Sequence, residues 1–219
     1  MPAMSAAGPR PIGLPPGAVL DAAGEDEAKY TSRNVVVRNL IARLLRTLRE
    51  VAGSTDAVWI DVGMGEGLAL EAMEAQAGIL IGVEYRHDKL QRALQRFPTA
   101  SGIRADAGML PFTDHSADVV TCFEVLEHLA TPERAVAELA RVCRGRCIVS
   151  VPWEPFFRMG NLVQGKDVRH FGNNVEHVQQ FRPSTLRRLL GGSFGTVVVH
   201  RCFPWIVAVA TSPLDHPLG

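Results

Sequence analysis

The 219-residue sequence predicts an α/β fold built on a mostly parallel sheet. Three observations carry that prediction. An apolar run at residues 58–62 ends in Gly63, Gly65 and Gly67 and then passes into a helix-forming stretch, the pattern of a buried strand turning sharply into a helix. A second apolar run, residues 78–83, follows after one helix length and is closed by Glu84, as a parallel partner with a crossover helix would be. Near the end, residues 196–200 and 205–210 form two strand-like runs joined through Phe203-Pro204, which suits an antiparallel hairpin at a sheet edge.

Composition sets the outer limits. The chain has the length of one domain with short additions, and its apolar fraction of 47% and charged fraction of 21% are ordinary for a globular protein. A formal net charge of zero argues against a nucleic-acid partner held by bulk electrostatics. No apolar run approaches the roughly 18 residues of an integral membrane segment, and the N-terminus lacks the charged-then-apolar order of a signal peptide, so the expectation is a cytoplasmic protein. Cys122, Cys143, Cys147 and Cys202 lack paired metal-ligand spacing and are expected as reduced thiols. Residues 1–28, rich in proline and ending in Asp21, Glu25, Asp26 and Glu27, are expected to be a flexible N-terminal segment. Residues 29–212 then form the domain and 213–219 a short tail.

The glycine turn narrows the chemistry. Glycine permits positive φ and lets a ligand reach bare backbone, while the following helix directs unpaired N–H groups at the turn. A dinucleotide fingerprint would require glycine at position 68, where the chain has Leu68. The string is instead Asp61-Val62-Gly63-Met64-Gly65-Glu66-Gly67. An acid at the end of the second strand, Glu84, is suited to a ribose diol, because a carboxylate accepts from both hydroxyls.

The Asp-x-Gly-x-Gly-x-Gly string resembles the first motif of class I S-adenosylmethionine-dependent methyltransferases, with Met64 where the small-molecule branch usually has cysteine. Glu124-Val125-Leu126-Glu127-His128-Leu129, after the fourth strand, resembles the type 11 branch, which includes quinone-biosynthesis enzymes. The resemblance extends over nearly all of residues 29–211. It implies a Rossmann-like seven-stranded, mostly parallel sheet with helices on both faces and an antiparallel edge hairpin. It also implies S-adenosylmethionine as cofactor and a small-molecule methyl acceptor. On that reading Gly63, Gly65 and Gly67 cradle the methionine end, Asp61 holds its amino group, and Glu84 takes the ribose. Tyr85 flanks the adenine, Asp106 and Ala107 contact it, Phe123 and Glu124 border the methionine, and Tyr30, after Lys29, covers the cofactor.

The rest of the chain fits around this centre. From Ser32 an amphipathic helix is expected, with Val37, Leu40, Ile41, Leu44, Leu45 and Leu48 on one face. Helices are expected at about 66–76, 88–96, 132–142 and from Pro183 to Gly191, with strands at 102–106, 117–123 and 147–151. Residues 152–182 exceed a simple connection and combine aromatic side chains with His170 and His177, as an acceptor-site lid would. His128, His170 and His177 are candidate general bases because imidazole titrates near working pH. Each could instead cap or cross-tie local backbone.

The aromatic character of residues 152–182 points to an apolar or aromatic acceptor, and O-methylation is expected ahead of transfer to carbon or nitrogen. Two other readings share the fold: a non-catalytic adenosyl-binding protein, and an NAD(P)-dependent oxidoreductase, which Leu68 disfavours.

Overall fold

The computed structural model describes residues 35–52, 57–65, 67, 70–74, 76–153 and 179–214. The chain divides into two compact units between Asn39 and Leu40, and the opening of the first described helix is all that is described of the first unit.

The described elements run α1 (Val35–Ala52), β1 (Ala57–Val62), α2 (Leu70–Met73), β2 (Ala77–Glu84), α3 (His87–Arg96), β3 (Ser101–Arg104), β4 (Ala117–Phe123), a 3₁₀ turn (Leu126–His128), α4 (Pro132–Val142), β5 (Cys143–Pro152), α5 (Pro183–Gly191), β6 (Phe194–Cys202) and β7 (Trp205–Pro213). The strands form one seven-stranded sheet in the order β3-β2-β1-β4-β5-β7-β6. The first five are parallel, and β7 enters antiparallel between β5 and the edge strand β6. This is the seven-stranded, mostly parallel sheet with an antiparallel hairpin that the sequence predicts.

Strand alternation sorts the side chains onto two faces. Ile60, Val62, Val120, Cys122, Cys147, Val149 and Val151 share a buried cluster with Val136 and Leu139 of α4 and Leu186 and Leu190 of α5. On the opposite face Trp59, Thr121, Phe123 and Ile148 meet Leu48 of α1 and Met73 of α2 around a cavity of about 10 Å³. The amphipathic pattern of α1 holds from Leu40 onward, with Ile41, Leu44 and Leu48 buried and Arg43 and Arg46 exposed. Proline at the first turn of α4 and of α5 starts each helix where the sequence places it. The helix expected at 66–76 is described only as the single turn of α2.

The order of strands positions the site. The chain winds from β1 to β2 to β3 in one direction, then returns to place β4 on the other side of β1. Crevices at such switch points, outside the carboxyl ends of the strands, are where open α/β sheets bind ligands. Among the described residues no helix is long and apolar enough to cross a membrane. All four cysteines are buried and unbridged.

Candidate functional site

The glycine turn leaves the carboxyl end of β1 at the switch point. Gly63, Gly65 and Gly67 all have positive φ, at 76°, 57° and 80°. The N–H groups of Gly63 and Met64 both donate to Val83 O, at 2.8 and 3.0 Å, which pins the turn to the end of β2. A methyl group on each glycine would meet something different. On Gly63 it would run into Val125, and on Gly67 it would lie 2.8 Å from the Phe97 ring, whereas on Gly65 it would have no neighbour within 4 Å among the described residues. Two of the glycines therefore allow close packing, and the middle one is not packed against any described side chain. Met64 is buried, with its thioether packed against Gly82 of β2, so the departure at that position fills a gap in the sheet face.

Two carboxylates flank the turn. Glu84, buried at the end of β2, accepts from Gly65 N at 2.9 Å through Oε2 and from Arg86 N at 2.8 Å through Oε1. A carboxylate has about four lone-pair sites, so both oxygens retain acceptor capacity. Asp61 is only 2% exposed. Its Oδ1 accepts from Thr121 Oγ1 at 2.7 Å, and its buried Oδ2 has no hydrogen-bond partner among the described residues. Burial pushes the Asp61 carboxyl up from 3.8 to about 7; the negative charge of Glu84 adds to the rise and the Thr121 hydrogen bond opposes it. Burial likewise pushes the Cys122 thiol well up, with Asp61 and Glu127 adding to the effect.

The loop after β4 closes the other side. Asp61 stands directly beside Thr121 in the β1–β4 register, and Val125 lies against Gly63. Phe123 ends β4 and lines the small cavity under α1 and α2. Glu124, with φ of 55°, donates its N–H to Ser150 O at 3.0 Å. His128 ends the 3₁₀ turn and is exposed, its N–H bonded to Val125 O. Glu127 is almost wholly buried, and its carbonyl accepts from Gln179 N at 3.0 Å. Beyond β2, Tyr85 is 65% exposed. Asp106 is also exposed, its Oδ1 accepting from Gly108 N at 2.7 Å, so it shapes the turn that follows β3, with Ala107 half-buried next to it.

Asp61, the three glycines and Glu84 are thus brought together, with Phe123, Glu124 and the 3₁₀ turn along the same sheet edge. Tyr30, His170 and His177 lie outside the described residues. Sequence reasoning gave no role to Thr121, which holds Asp61, and passed over the burial of Glu127. The signal for Thr121 is a hydroxyl within an apolar strand, which gains meaning only when strand register places it beside an acid 60 residues earlier.

A methyltransferase-domain family matches residues 60–150. A probable S-adenosylmethionine-dependent methyltransferase of Mycobacterium tuberculosis is 35% identical over 92 residues, covering 42% of this chain and 34% of its own. A ubiquinone biosynthesis O-methyltransferase of Klebsiella pneumoniae is 33% identical over 91 residues, covering 39% of this chain and 37% of its own. The chain therefore spans little more than a third of the length of these curated relatives. Among solved structures, magnesium protoporphyrin IX methyltransferase from Synechocystis, determined with bound SAH, superposes with a TM-score of 0.60 at 17% identity, covering 82% of this chain and 88% of that one; this is a likeness of fold. The glycine turn and the two carboxylates thus lie inside the stretch, residues 60–150, that matches the methyltransferase-domain family, and the relatives matching there are S-adenosylmethionine-dependent methyltransferases.

Proposed function

We propose that the chain transfers the methyl group of S-adenosylmethionine to a small apolar or aromatic acceptor, with oxygen the favoured atom. The buried, unpartnered Oδ2 of Asp61 beneath a left-handed glycine turn is the observation that carries this reading. A carboxylate oxygen in that state lacks a donor, and the α-ammonium of an amino-acid cofactor supplies one.

The charges favour the same ligand. Asp61 and Glu84 flank the turn, so a dianionic pyrophosphate would meet two carboxylates, whereas S-adenosylmethionine brings an ammonium and a sulfonium. Asp61 would hold the ammonium, the glycine turn at Gly65 would take the methionine end, and the spare acceptor capacity of Glu84 would take the ribose hydroxyls. Tyr85, Asp106 and Ala107 would border the adenine, and Phe123 and Glu124 the methionine. When bound, the sulfonium supplies an electrophilic methyl with a thioether as leaving group. What the chain must add is alignment of the acceptor and exclusion of water. A base is needed only if the acceptor must lose a proton, and His128, His170 and His177 are the candidates for it. Residues 152–182 of a domain spanning 29–212 would cover the acceptor. The O-methyltransferase relative supports oxygen as the methylated atom, and zero net charge supports a small molecule over nucleic acid.

Calorimetric titration with S-adenosylmethionine, S-adenosylhomocysteine and NADH tests the cofactor. Micromolar adenosyl binding is expected, weakened in Glu84→Ala by about 1–3 kcal/mol through lost hydrogen bonds. NADH binding without adenosyl binding overturns the reading. Phenol and aniline acceptors on one skeleton, with the methylated atom located by mass spectrometry, test the preference for oxygen.

A further inference from the structure

We propose that Thr121 is a positioning residue for the cofactor's ammonium group: its hydroxyl ties down one oxygen of Asp61 and so reserves the other for the ligand. The inference rests on the adenosyl-cofactor reading above and adds a residue to it. A hydroxyl has one hydrogen to give, and three acceptors lie around Thr121 Oγ1: Asp61 Oδ1 at 2.7 Å, Ile60 O at 3.4 Å and Met73 Sδ at 3.8 Å. The short contact to the carboxylate takes the hydrogen. Thr121 is itself 1% exposed, and β1–β4 register sets it beside Asp61, so the hydroxyl cannot turn instead to solvent. A buried carboxylate with one oxygen fixed and one unpartnered is a directional acceptor, whereas one held at neither oxygen is free to rotate and is more easily protonated.

The other titratable group acting on this carboxylate, among the described residues, is Glu84 at the end of β2; the neighbouring Cys122 thiol, pushed well up by burial, stays neutral. The Glu84 charge is unfavourable to a negative charge on Asp61. Thr121 is the described group that favours it, so removing the hydroxyl removes the support for the ionised form that an ammonium requires.

The test compares Thr121→Val, which keeps the side-chain shape, with Thr121→Ser, which keeps the hydroxyl. Two ligands are titrated: S-adenosylhomocysteine, which carries the ammonium, and 5′-methylthioadenosine, which has the same nucleoside and no amino acid. Thr121→Val is expected to weaken S-adenosylhomocysteine about tenfold, as loss of a hydrogen bond to a charged group does. It should leave 5′-methylthioadenosine within about twofold, and Thr121→Ser should restore most of the difference. Affinity of the unaltered protein for S-adenosylhomocysteine should rise with pH as Asp61 ionises, and in Thr121→Val the midpoint of that rise should move to higher pH. A ¹³C carboxyl titration of the ligand-free proteins reads the same displacement without any ligand. Equal loss of both ligands, unchanged S-adenosylhomocysteine binding in Thr121→Val, or no rescue by serine overturns the proposal. If the unaltered protein binds neither ligand, the adenosyl reading itself falls, and the proposal with it.

Discussion

Replacing Asp61 with asparagine should stabilise the ligand-free protein at pH 8 while abolishing tight binding of S-adenosylhomocysteine. The Asp61 carboxyl ordinarily titrates at 3.8 and is pushed to about 7 in the fold, chiefly by burial. The folded chain therefore holds a proton that the unfolded chain releases above pH 3.8. Stability from this group is fully present below 3.8, declines as pH rises, and is lost by about pH 7, after which the folded state carries an unfavourable buried charge. Roughly three pH units at about 1.4 kcal/mol each give a penalty of about 4 kcal/mol at pH 8. Asparagine carries no charge and can still accept from Thr121 Oγ1. Its NH₂ would then take the place of the unpartnered Oδ2, at a cost of about 1–3 kcal/mol. The net expectation is a gain of about 1–3 kcal/mol at pH 8 and none, or a small loss, at pH 5. Urea unfolding of both proteins at intervals from pH 5 to 8 measures this; groups common to both cancel in the difference, leaving Asp61. A difference that stays flat across that range refutes the account of Asp61 as a buried, protonated carboxyl.

Alanine at Gly65 and at Gly67 should part ways. At Gly67, a positive φ and the Phe97 ring 2.8 Å from a new methyl should together destabilise the fold by about 3 kcal/mol in urea melts. At Gly65, backbone strain alone should cost about 1–2 kcal/mol, and S-adenosylhomocysteine binding should fall by more than stability does, because no described residue packs where the methyl would go. Arg141 donates to Leu110 O, Phe112 O, Glu138 and Asp114, and Arg141→Ala should cost about 2–3 kcal/mol in urea melts at pH 7. Arg141 holds the Glu138 carboxyl below its ordinary 4.5, so this stabilisation is present above that value and lost as pH falls through the lowered one; the gap between the two proteins should narrow below about pH 4.

The parts of the fold that sequence made legible are those buried on both sides. Strands β1, β2 and β4 are apolar runs because helices cover both faces of a parallel sheet, and the prolines of α4 and α5 mark their own helix starts. Strand β5 begins at Cys143, directly after α4, four residues before the expected start. Its first residues include Arg144, Gly145 and Arg146, which read as a polar loop; Cys143 and Arg146 pair with β4 across a register shift, and Gly145 lies against the backbone of Asp118. Strand β6 also runs beyond its apolar stretch, since an edge strand bonded to β7 alone tolerates polar residues. The local part of the site was legible because a glycine turn and a strand-end acid are features of contiguous sequence. The Thr121 to Asp61 contact was not, because it depends on β4 returning beside β1 and on a register that no short string encodes.

Unfavourable features cluster at the carboxyl ends of β1, β2 and β4, the edge at which open α/β sheets bind ligands. Positive φ alone does not mark the place, since His115 and Ser212 also have it, one in a turn and one near the end of β7. What distinguishes the carboxyl ends of β1, β2 and β4 is a combination: three left-handed glycines, a left-handed Glu124, and a buried carboxylate with an unpartnered oxygen, all within one connected turn-and-loop. Away from the site the half-buried Arg141 guanidinium is well supplied, with four acceptors. A sheet selected only for stability would replace Asp61 with an apolar residue and lose nothing in packing, since its neighbours Ile60 and Val62 already fill the opposite face. Retaining a group that is destabilising in the empty protein makes physical sense when an ammonium reaches it, because pairing then removes the penalty and adds directly to affinity. That coupling predicts that ligand binding should raise the stability of the unaltered protein more than that of Asp61→Asn at the same free ligand concentration.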